Sequence, residues 1–222
     1  MVEHKLTLGL LTENEWLAGL PSQATERLIQ AAKVRRFKEN QSVQAKGAPA
    51  DGLYGVLSGE VRVSATSFAG DEIVFTRILP GQWFGEIALL DGGPRTHDAH
   101  ALIESELAIL PKKVVMDLCF SFPEVYRAMV LLLCGHCRQA FTAVDDLLVC
   151  SPEQRLARRL LQRSTDSKRL NIEISQQELG SLIGISRQST NKILKSWESK
   201  GFIVRVYRGL EIINIDALRA VI

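Results

Sequence analysis

Residues 174–203 read ISQQELGSLIGISRQSTNKILKSWESKGFI, and this stretch decides the fold of the C-terminal part of the chain. Ser175 is followed three residues later by Glu178, which is the capping-box pattern of a helix start. Gly184 can adopt the left-handed backbone that a tight turn between two helices needs. Ser186 is then placed to cap a second helix. The stretch therefore predicts a helix-turn-helix.

The second predicted helix has two faces of different character. Its buried stripe is expected to comprise Thr190, Ile193, Leu194 and Trp197. Its opposite face carries the polar side chains Arg187, Gln188, Asn191, Lys192 and Lys195. Side chains near the start of such a helix contact base edges in the major groove, where arginine suits guanine and glutamine suits adenine. The helix N-terminus at Ser186 suits a backbone phosphate.

A β-hairpin is predicted after this helix. The helix should end at Lys200-Gly201, and two β-prone runs follow, FIVRVY (202–207) and LEIINI (210–215), joined through Arg208-Gly209. A hairpin in this place is a wing beside the recognition helix. Caps, turn glycine, basic helix start and wing together predict double-stranded DNA as a partner. The alternative is a helical hairpin with a merely solvated basic face.

Composition sets the limits for the rest of the chain. Its 222 residues are enough for two modest domains, and 46% hydrophobic with 23% charged residues is ordinary globular composition. The net charge is only +2, so any basic surface must be local; basic residues outnumber acidic ones after Pro152. No apolar run approaches the length of a membrane span, and no secretory signal is evident. We therefore expect a cytoplasmic protein that does not bind membranes, with its four cysteines reduced.

The N-terminal half has the pattern of a β-rich domain. Residues 12–32 predict short helices, with Thr12 and Glu15 as a capping pair and Pro21 opening a second segment. Short β-prone runs separated by glycines then predict a β-sandwich or barrel. These runs are VRRF (34–37), QSVQ (41–44), GLYGVLSG (52–59), EVRVSAT (60–66), DEIVFTRILP (71–80) and LAIL (107–110).

A long helix is predicted after Pro123. Its apolar positions alternate at spacings of three and four residues, which is typical of a coiled-coil seam or of the buried face of a core helix. The seam residues are Val130, Leu133, Cys137, Ala140, Val144 and Leu147. The helix should end at Cys150-Ser151-Pro152, where Ser151 caps the next one. We expect three parts: 1–122, 123–150 and 151–222.

Residues 81–96, GQWFGEIALLDGGPRT, predict a second site. Gly85-Glu86 open a predicted helix of one or two turns, so backbone N–H groups at its start should face an anion. Arg95 follows a Gly-Gly-Pro turn, and its guanidinium fork matches phosphate, with the Thr96 hydroxyl beside it. From the residues alone, an anion site and a structural ion pair between Glu86 and Arg95 both remain open.

From about residue 20 to its end, the chain resembles the cyclic AMP receptor protein and fumarate-nitrate reduction regulator family. The matching motifs are GAPADGLYGVLSGEVRV (47–63), FGEIALLDGGPRT (84–96), the long helix and QELGSLIGISRQSTNKILKSWESKGFI (177–203). The resemblance implies an α+β protein with an N-terminal jelly-roll cyclic-nucleotide-binding domain, a long dimerisation helix and a C-terminal winged helix-turn-helix. It implies a ligand-responsive, homodimeric transcription regulator rather than an enzyme.

The resemblance also implies roles for individual residues. Gly85 and Glu86 look like ribose contacts, Arg95 like the phosphate clamp and Thr96 like the adjacent hydroxyl. With Ile87 they form the expected ligand-binding set, with cyclic AMP as the expected effector and no metal. The expected DNA-binding set is Gln177, Ser186, Arg187, Gln188, Asn191 and Lys192. A two-fold dimer implies a near-palindromic operator, and RNA polymerase is a further expected partner.

This sequence departs from the family pattern in both sites. Ala140 and Phe141 stand where nucleotide-binding members have a Thr-Ser pair that contacts adenine, and neither side chain can form a hydrogen bond. Gln188 replaces the usual Glu of the recognition helix, and Lys192 replaces a common Arg. These changes leave adenine recognition and the operator sequence open.

Several alternatives stay open beside this prediction. A redox or metal sensor could use Cys134 and Cys137, although the N-terminal cysteine group of cluster-binding members is missing from residues 1–33. A haem sensor could use His97, His100 or His136 as an iron ligand. A regulator that binds DNA without an effector is the remaining alternative. In the favoured mechanism, effector binding shifts the central helix, and with it the two recognition helices, between two states.

Overall fold

A computed structural model describes Leu17 and residues 19–66, 72–167, 171–207 and 209–222. The predicted capping pair Thr12 and Glu15 lies outside the described residues, as does Arg208 of the wing turn. The chain divides into two compact units, residues 1–138 and 139–222.

The first unit is built on two antiparallel four-stranded sheets. Helix α1 (Ser22–Ala31) precedes them and follows Pro21 as predicted. The sheets have strand orders β1-β8-β3-β6 and β2-β7-β4-β5. The strands are β1 (Lys33–Phe37), β2 (Ser42–Gln44), β3 (Gly52–Ser58), β4 (Val61–Thr66), β5 (Glu72–Ile78), β6 (Trp83–Phe84), β7 (Asp98–Ala101) and β8 (Ser105–Pro111). The predicted β-rich domain is therefore confirmed, although β6 and β7 fall outside the predicted runs.

The inward side chains of the strands form one apolar cluster. Phe37, Val56 and Leu107 are almost fully buried in it, and each contributes about 1.5–3 kcal/mol by leaving water. The Tyr54 and Phe84 rings stack there, with centroids 5.4 Å apart. This packing holds β3 and β6 together, and the candidate site residues follow directly after β6.

Three helices complete this part of the chain: α2 (Ile87–Leu90), α3 (Lys112–Ser121) and α4 (Pro123–Val149). The one-turn α2 confirms the short helix expected after Gly85, and the 27-residue α4 confirms the long helix. Helix α3 is not predicted from the sequence. Val115 and Leu118 of α3 pack with Val125 and Met129 of α4 in a second buried cluster. The first turns of α4 are therefore anchored to the β-roll.

Within the described residues, no single helix is both long and apolar enough to cross a membrane. By length and composition alone, one pair of consecutive helices, Lys112–Ser121 and Pro123–Val149, meets that requirement together, with a bend of 119° between them.

The second unit continues from the end of α4 into a winged helix-turn-helix. Its elements are α5 (Pro152–Ser167), β9 (Asn171–Glu173), α6 (Gln176–Ile183), α7 (Arg187–Ser199), β10 (Ile203–Val206), β11 (Gly209–Ile212) and α8 (Ile215–Arg219). Ser151 caps α5, since its hydroxyl accepts the Gln154 N–H at 3.2 Å. The three strands pair antiparallel in the order β10-β11-β9.

The second strand of the wing is shorter than the sequence predicts. The run LEIINI was expected to be extended to residue 215, but β11 ends at Ile212. Asn214 instead caps α8 by accepting the Ala217 N–H at 2.9 Å. The cap takes priority because it satisfies a backbone donor that the first turn of a helix leaves without a partner.

Trp197 of α7 lies at the centre of the second unit and has no exposed surface. Leu156 and Leu160 of α5 and Leu194 of α7 belong to the same buried cluster. The Trp197 indole Nε1 donates to a Glu153 carboxylate oxygen at 2.6 Å. The buried stripe predicted for the recognition helix therefore holds that helix against α5.

Candidate functional site

The first candidate site surrounds the guanidinium of Arg95, which is only 3% exposed. Its NH1 donates to the Gly85 carbonyl at 2.8 Å, and its NH2 donates to the Gly52 carbonyl and to Asp51 Oδ1, both at 2.7 Å. The Arg95 backbone N–H donates to the Ala48 carbonyl at 2.8 Å, which fixes the turn that carries it. The structure therefore brings the predicted phosphate clamp beside Gly85.

Gly85 is required here for two reasons. Its φ is +94°, in the region that L-residues with a side chain rarely adopt. A Cβ at this position would also lie 2.5 Å from Arg95 NH1. The backbone at the end of β6 can therefore approach the guanidinium only without a side chain.

Asp51 and Tyr54 form a polar group with Arg95. The Tyr54 hydroxyl donates to Asp51 Oδ2 at 2.7 Å, and its ring lies 5.3 Å from the guanidinium carbon. Burial, with the Asp51 carboxylate beside it, raises the pKa of Tyr54 to about 12. Burial would raise the pKa of Asp51, but hydrogen bonds from Tyr54 and Arg95 outweigh it and lower that pKa. Both the Asp51 carboxylate and the Tyr54 phenol are thus in their ordinary charge states at neutral pH.

Glu86, the expected ribose contact, contacts the central helix. It is 2% exposed, and its Oε1 lies 2.9 Å from Nδ1 of His136. The hydrogen bond to Glu86 raises the pKa of His136, while burial opposes that shift. From the sequence, His136 was a candidate only as a haem ligand. The structure gives it a carboxylate partner.

The remaining members of the ligand set differ in exposure. Ile87 is half-buried and begins α2, in which the N–H groups of Leu89 and Leu90 donate to the carbonyl of Glu86 at 3.1 and 3.0 Å. Thr96 is exposed, and its Oγ1 lies 2.9 Å from Nδ1 of His97. In the described part of the chain, Nε of Arg95 and Oε1 of Gln44 are among the buried side-chain atoms that have no hydrogen-bond partner. A Cβ on Gly85 would be 3.6 Å from that Gln44 oxygen, so Gln44 belongs to the same site.

The second candidate site is the helix-turn-helix. The capping box at Ser175 and Glu178 is present, with the two bonds at 3.2 and 2.9 Å. Gly184 is left-handed with φ +71°, as a tight turn requires. Ser186 caps α7 by accepting the Ser189 N–H at 3.1 Å. The helix starts and the turn predicted from the sequence are confirmed.

The predicted DNA-binding residues lie on the outside of the second unit. Gln177, Ser186, Arg187, Gln188 and Lys192 are exposed, and Asn191 is half-buried. An open hollow of about 410 Å³ lies between the start of α6, the start of α7 and the wing. Gln177, Arg187 and Arg205 line it. The structure thus gathers hydrogen-bond donors from all three elements around one concave surface.

Arg205 of the wing also contacts the recognition helix. Its Nε and NH2 approach Glu198 Oε2 at 2.8 and 2.5 Å, and its NH1 donates to Asn191 Oδ1 at 3.2 Å. The hydrogen bonds from Arg205 lower the pKa of Glu198. From the sequence, Arg205 was only one of the basic residues of the C-terminal part. No local sequence pattern indicated its contacts with Glu198 and Asn191.

Among the described residues, no group of three or more His, Cys, Asp or Glu side chains could hold a metal ion. Cys134 is half-buried and Cys137 is exposed, both as free thiols.

Two domain families match the chain. The cyclic nucleotide-binding domain matches residues 34–122, and the Crp-like helix-turn-helix domain matches residues 154–221. A CRP-like cAMP-activated global transcriptional regulator from Mycobacterium tuberculosis is 27% identical over 192 residues, covering 83% of this chain and 86% of that protein. The cyclic AMP receptor protein of Thermus thermophilus is 28% identical over 185 residues, covering 83% and 86%.

A solved structure shares the whole architecture. It is a transcriptional regulator of the crp/fnr family from Eubacterium rectale, with a TM-score of 0.80, 15% identity, and coverage of 93% of this chain and 97% of that one. At this identity the likeness shows the fold. With both domains matched, the chain belongs to the cyclic AMP receptor protein and fumarate-nitrate reduction regulator family of DNA-binding transcription regulators.

Proposed function

We propose that the protein is a cytoplasmic homodimer that binds near-palindromic double-stranded DNA in response to a cyclic nucleotide, with cyclic AMP as the preferred effector. The observation that carries the effector proposal is the buried guanidinium of Arg95, 2.8 Å from the Gly85 carbonyl and with its Nε lacking a partner. A buried donor without an acceptor costs about 1–3 kcal/mol. A phosphate oxygen would satisfy it.

The polar groups at this site fit a cyclic nucleotide. The Arg95 guanidinium suits the charged phosphate, and Asp51, whose side chain is 64% exposed, can leave it at little cost. The Glu86 carboxylate is an acceptor for the ribose 2′-hydroxyl. Cyclic nucleotide-binding relatives supply the rest of the argument: those from Mycobacterium tuberculosis and Thermus thermophilus are named for cyclic AMP.

Fewer side chains are available to recognise the base than to recognise the phosphate. The resemblance aligns the base-contacting pair with Ala140 and Phe141, whose side chains offer no hydrogen bond. We therefore expect cyclic AMP to be preferred over cyclic GMP by a smaller factor than a hydrogen-bonding pair would give.

The dimer is proposed to form along α4. Its C-terminal half exposes apolar side chains at the predicted seam positions, with Val144 47% and Leu147 55% exposed. Exposed apolar surface of this kind is typical of a face that a partner covers. A second copy of the chain on this face would form a dimer with two recognition helices, which suits DNA half-sites about one helical turn apart. RNA polymerase is the proposed further partner of the DNA-bound dimer.

Three measurements test the proposal. Calorimetric titration of the full-length protein with cyclic AMP should give heat, and cyclic AMP should tighten the binding of a selected DNA duplex. No heat, together with DNA binding that cyclic AMP leaves unchanged, would contradict the effector assignment. Sedimentation of wild type and Leu147→Glu tests the dimer: the variant should sediment as a monomer, and an unchanged dimer would contradict the α4 interface.

A further inference from the structure

Asn191 and Arg205 are the residues from which the specificity of the recognition helix can be inferred. Asn191 lies one turn after Arg187, on the face that the predicted DNA contacts share. It is half-buried because Arg205 of β10 reaches across to it. The wing thus touches a side chain that faces the bases.

The orientation of the Asn191 amide follows from the chemistry of Arg205. A guanidinium carries donors only, so the Asn191 atom 3.2 Å from NH1 must be the carbonyl Oδ1. The two N–H donors of Nδ2 remain for another partner. Accepting from a cation also polarises the amide and strengthens those donors.

Glu198 holds Arg205 in this position. Two guanidinium nitrogens approach its Oε2, and the Arg205 backbone N–H donates to its Oε1 at 3.2 Å. Both the side chain and the backbone of Arg205 are therefore attached to α7. This double attachment opposes release of Arg205 to a DNA phosphate.

The positive charge beside Asn191 discriminates between bases. Guanine presents two acceptors in the major groove, N7 and O6, whereas adenine presents the N7 acceptor and the N6 amino donor. One lone pair of Asn191 Oδ1 is already occupied, and the guanidinium repels a second donor hydrogen. An unrestrained asparagine would bind adenine through both its oxygen and its nitrogen. Arg205 weakens that option and so favours the acceptor edge of guanine.

We propose that Asn191 contacts guanine through its amide nitrogen, and that Arg205, fixed by Glu198, is the positioning residue that sets this preference over adenine. The inference rests on DNA binding through α7 and adds one base position to it. Its consequence is specific: loss of Arg205 should change the preferred base at one position of each half-site rather than the affinity for DNA as a whole.

The experiment is selection of bound duplexes from a randomised DNA pool, followed by sequencing, with the full-length protein and cyclic AMP present. The variants are Asn191→Ala, Arg205→Ala and Arg205→Lys. Arg205→Lys keeps the charge but lacks the fork that reaches Glu198 and Asn191 together. Val204→Ala, a neighbouring wing residue that is 44% exposed, is the matched control. Thermal melts verify that each variant is folded.

Wild type and Val204→Ala should prefer guanine at one half-site position by about tenfold, the size of a good base contact. Asn191→Ala should lose that preference, and both Arg205 variants should shift it toward adenine. An Asn191→Ala profile equal to wild type would overturn the proposal. Arg205 variants that weaken all sequences equally, with a reduced salt dependence, would overturn it by marking Arg205 as a phosphate contact. If the wild type selects no DNA, the proposed DNA binding itself fails.

Discussion

Oε1 of Glu86 lies 2.9 Å from Nδ1 of His136, and this contact joins the loop after β6 to the central helix α4. Glu86 is almost fully buried, and the His136 side chain is 29% exposed. The same carboxylate is the proposed acceptor for the ribose 2′-hydroxyl. If the effector binds at Glu86 as proposed, it would act directly on a residue of α4, the helix that we propose as the dimer interface.

The His136 contact predicts a pH dependence of stability. Because Glu86 raises the pKa of His136 above 6.5, the folded state binds this proton more tightly than the unfolded state. The stabilisation is complete below pH 6.5 and is lost as the pH rises through the folded-state pKa. We expect it to be worth about 1 kcal/mol or less. Urea unfolding of wild type and His136→Gln across this range measures it.

His97 makes the comparison with His136→Gln necessary. Burial and the charge of Lys46 lower the pKa of His97, so its contribution to stability is lost as the pH falls. The two histidines thus give slopes of opposite sign in the wild type. Subtracting the His136→Gln profile isolates the contact with Glu86. A difference that stays constant with pH would contradict the prediction.

Gly85→Ala should impair the effector site more than it impairs folding. A residue with a side chain at φ +94° costs about 1–3 kcal/mol of backbone strain, and its Cβ would displace Arg95 NH1. Gly81→Ala is the matched control, because φ at Gly81 is +86° and its Cβ would meet nothing within 4 Å. Both variants should unfold at lower urea concentration than the wild type. Only Gly85→Ala should lose the calorimetric signal with cyclic AMP, and equal binding by the two variants would argue against the site.

Arg95→Lys should bind cyclic AMP at least about tenfold more weakly than wild type, although it keeps the positive charge. The reason is geometric: a lysine ammonium cannot reach the Gly85 and Gly52 carbonyls and the phosphate with the planar fork that Arg95 uses. Arg36→Ala, which removes an arginine whose side chain is 78% exposed on β1, is the control and should bind normally. Calorimetry measures both. Unchanged affinity in Arg95→Lys would rule out a bidentate phosphate contact.

Elements whose determining contacts are local could be predicted from the sequence. The caps at Ser175 and Ser186 and the turn at Gly184 each depend on residues within one helical turn, so their patterns are visible in the sequence. Partners that the fold brings together from far apart could not be predicted in this way. Asp51 meets Arg95 from 44 residues away, and His136 meets Glu86 from 50.

There are also physical reasons why two elements, β7 and α3, were not predicted from the sequence. Strand β7 has the sequence DAHA, without the β-branched and aromatic residues that mark strands, and it forms because β2 and β4 pair with it on both sides. Helix α3 follows Pro111, its N-cap, and that proline was the local signal that could have revealed it. Pairing with neighbouring strands determines that β7 is extended, and no local sequence pattern indicates that pairing.

Arg187→Ala should weaken binding to the selected operator by about 1–3 kcal/mol and relax specificity at one base position, because Arg187 is exposed at the start of the recognition helix. Fluorescence anisotropy with the operator and with single-base variants of it measures both effects. Lys113→Ala, in which a side chain that is 86% exposed on α3 is removed, controls for the loss of one positive charge and should match the wild type. A loss of affinity that is equal for every duplex would instead identify Arg187 as a phosphate contact, since phosphates carry no base information. Specificity at that position would then have to come from Gln188 or Asn191.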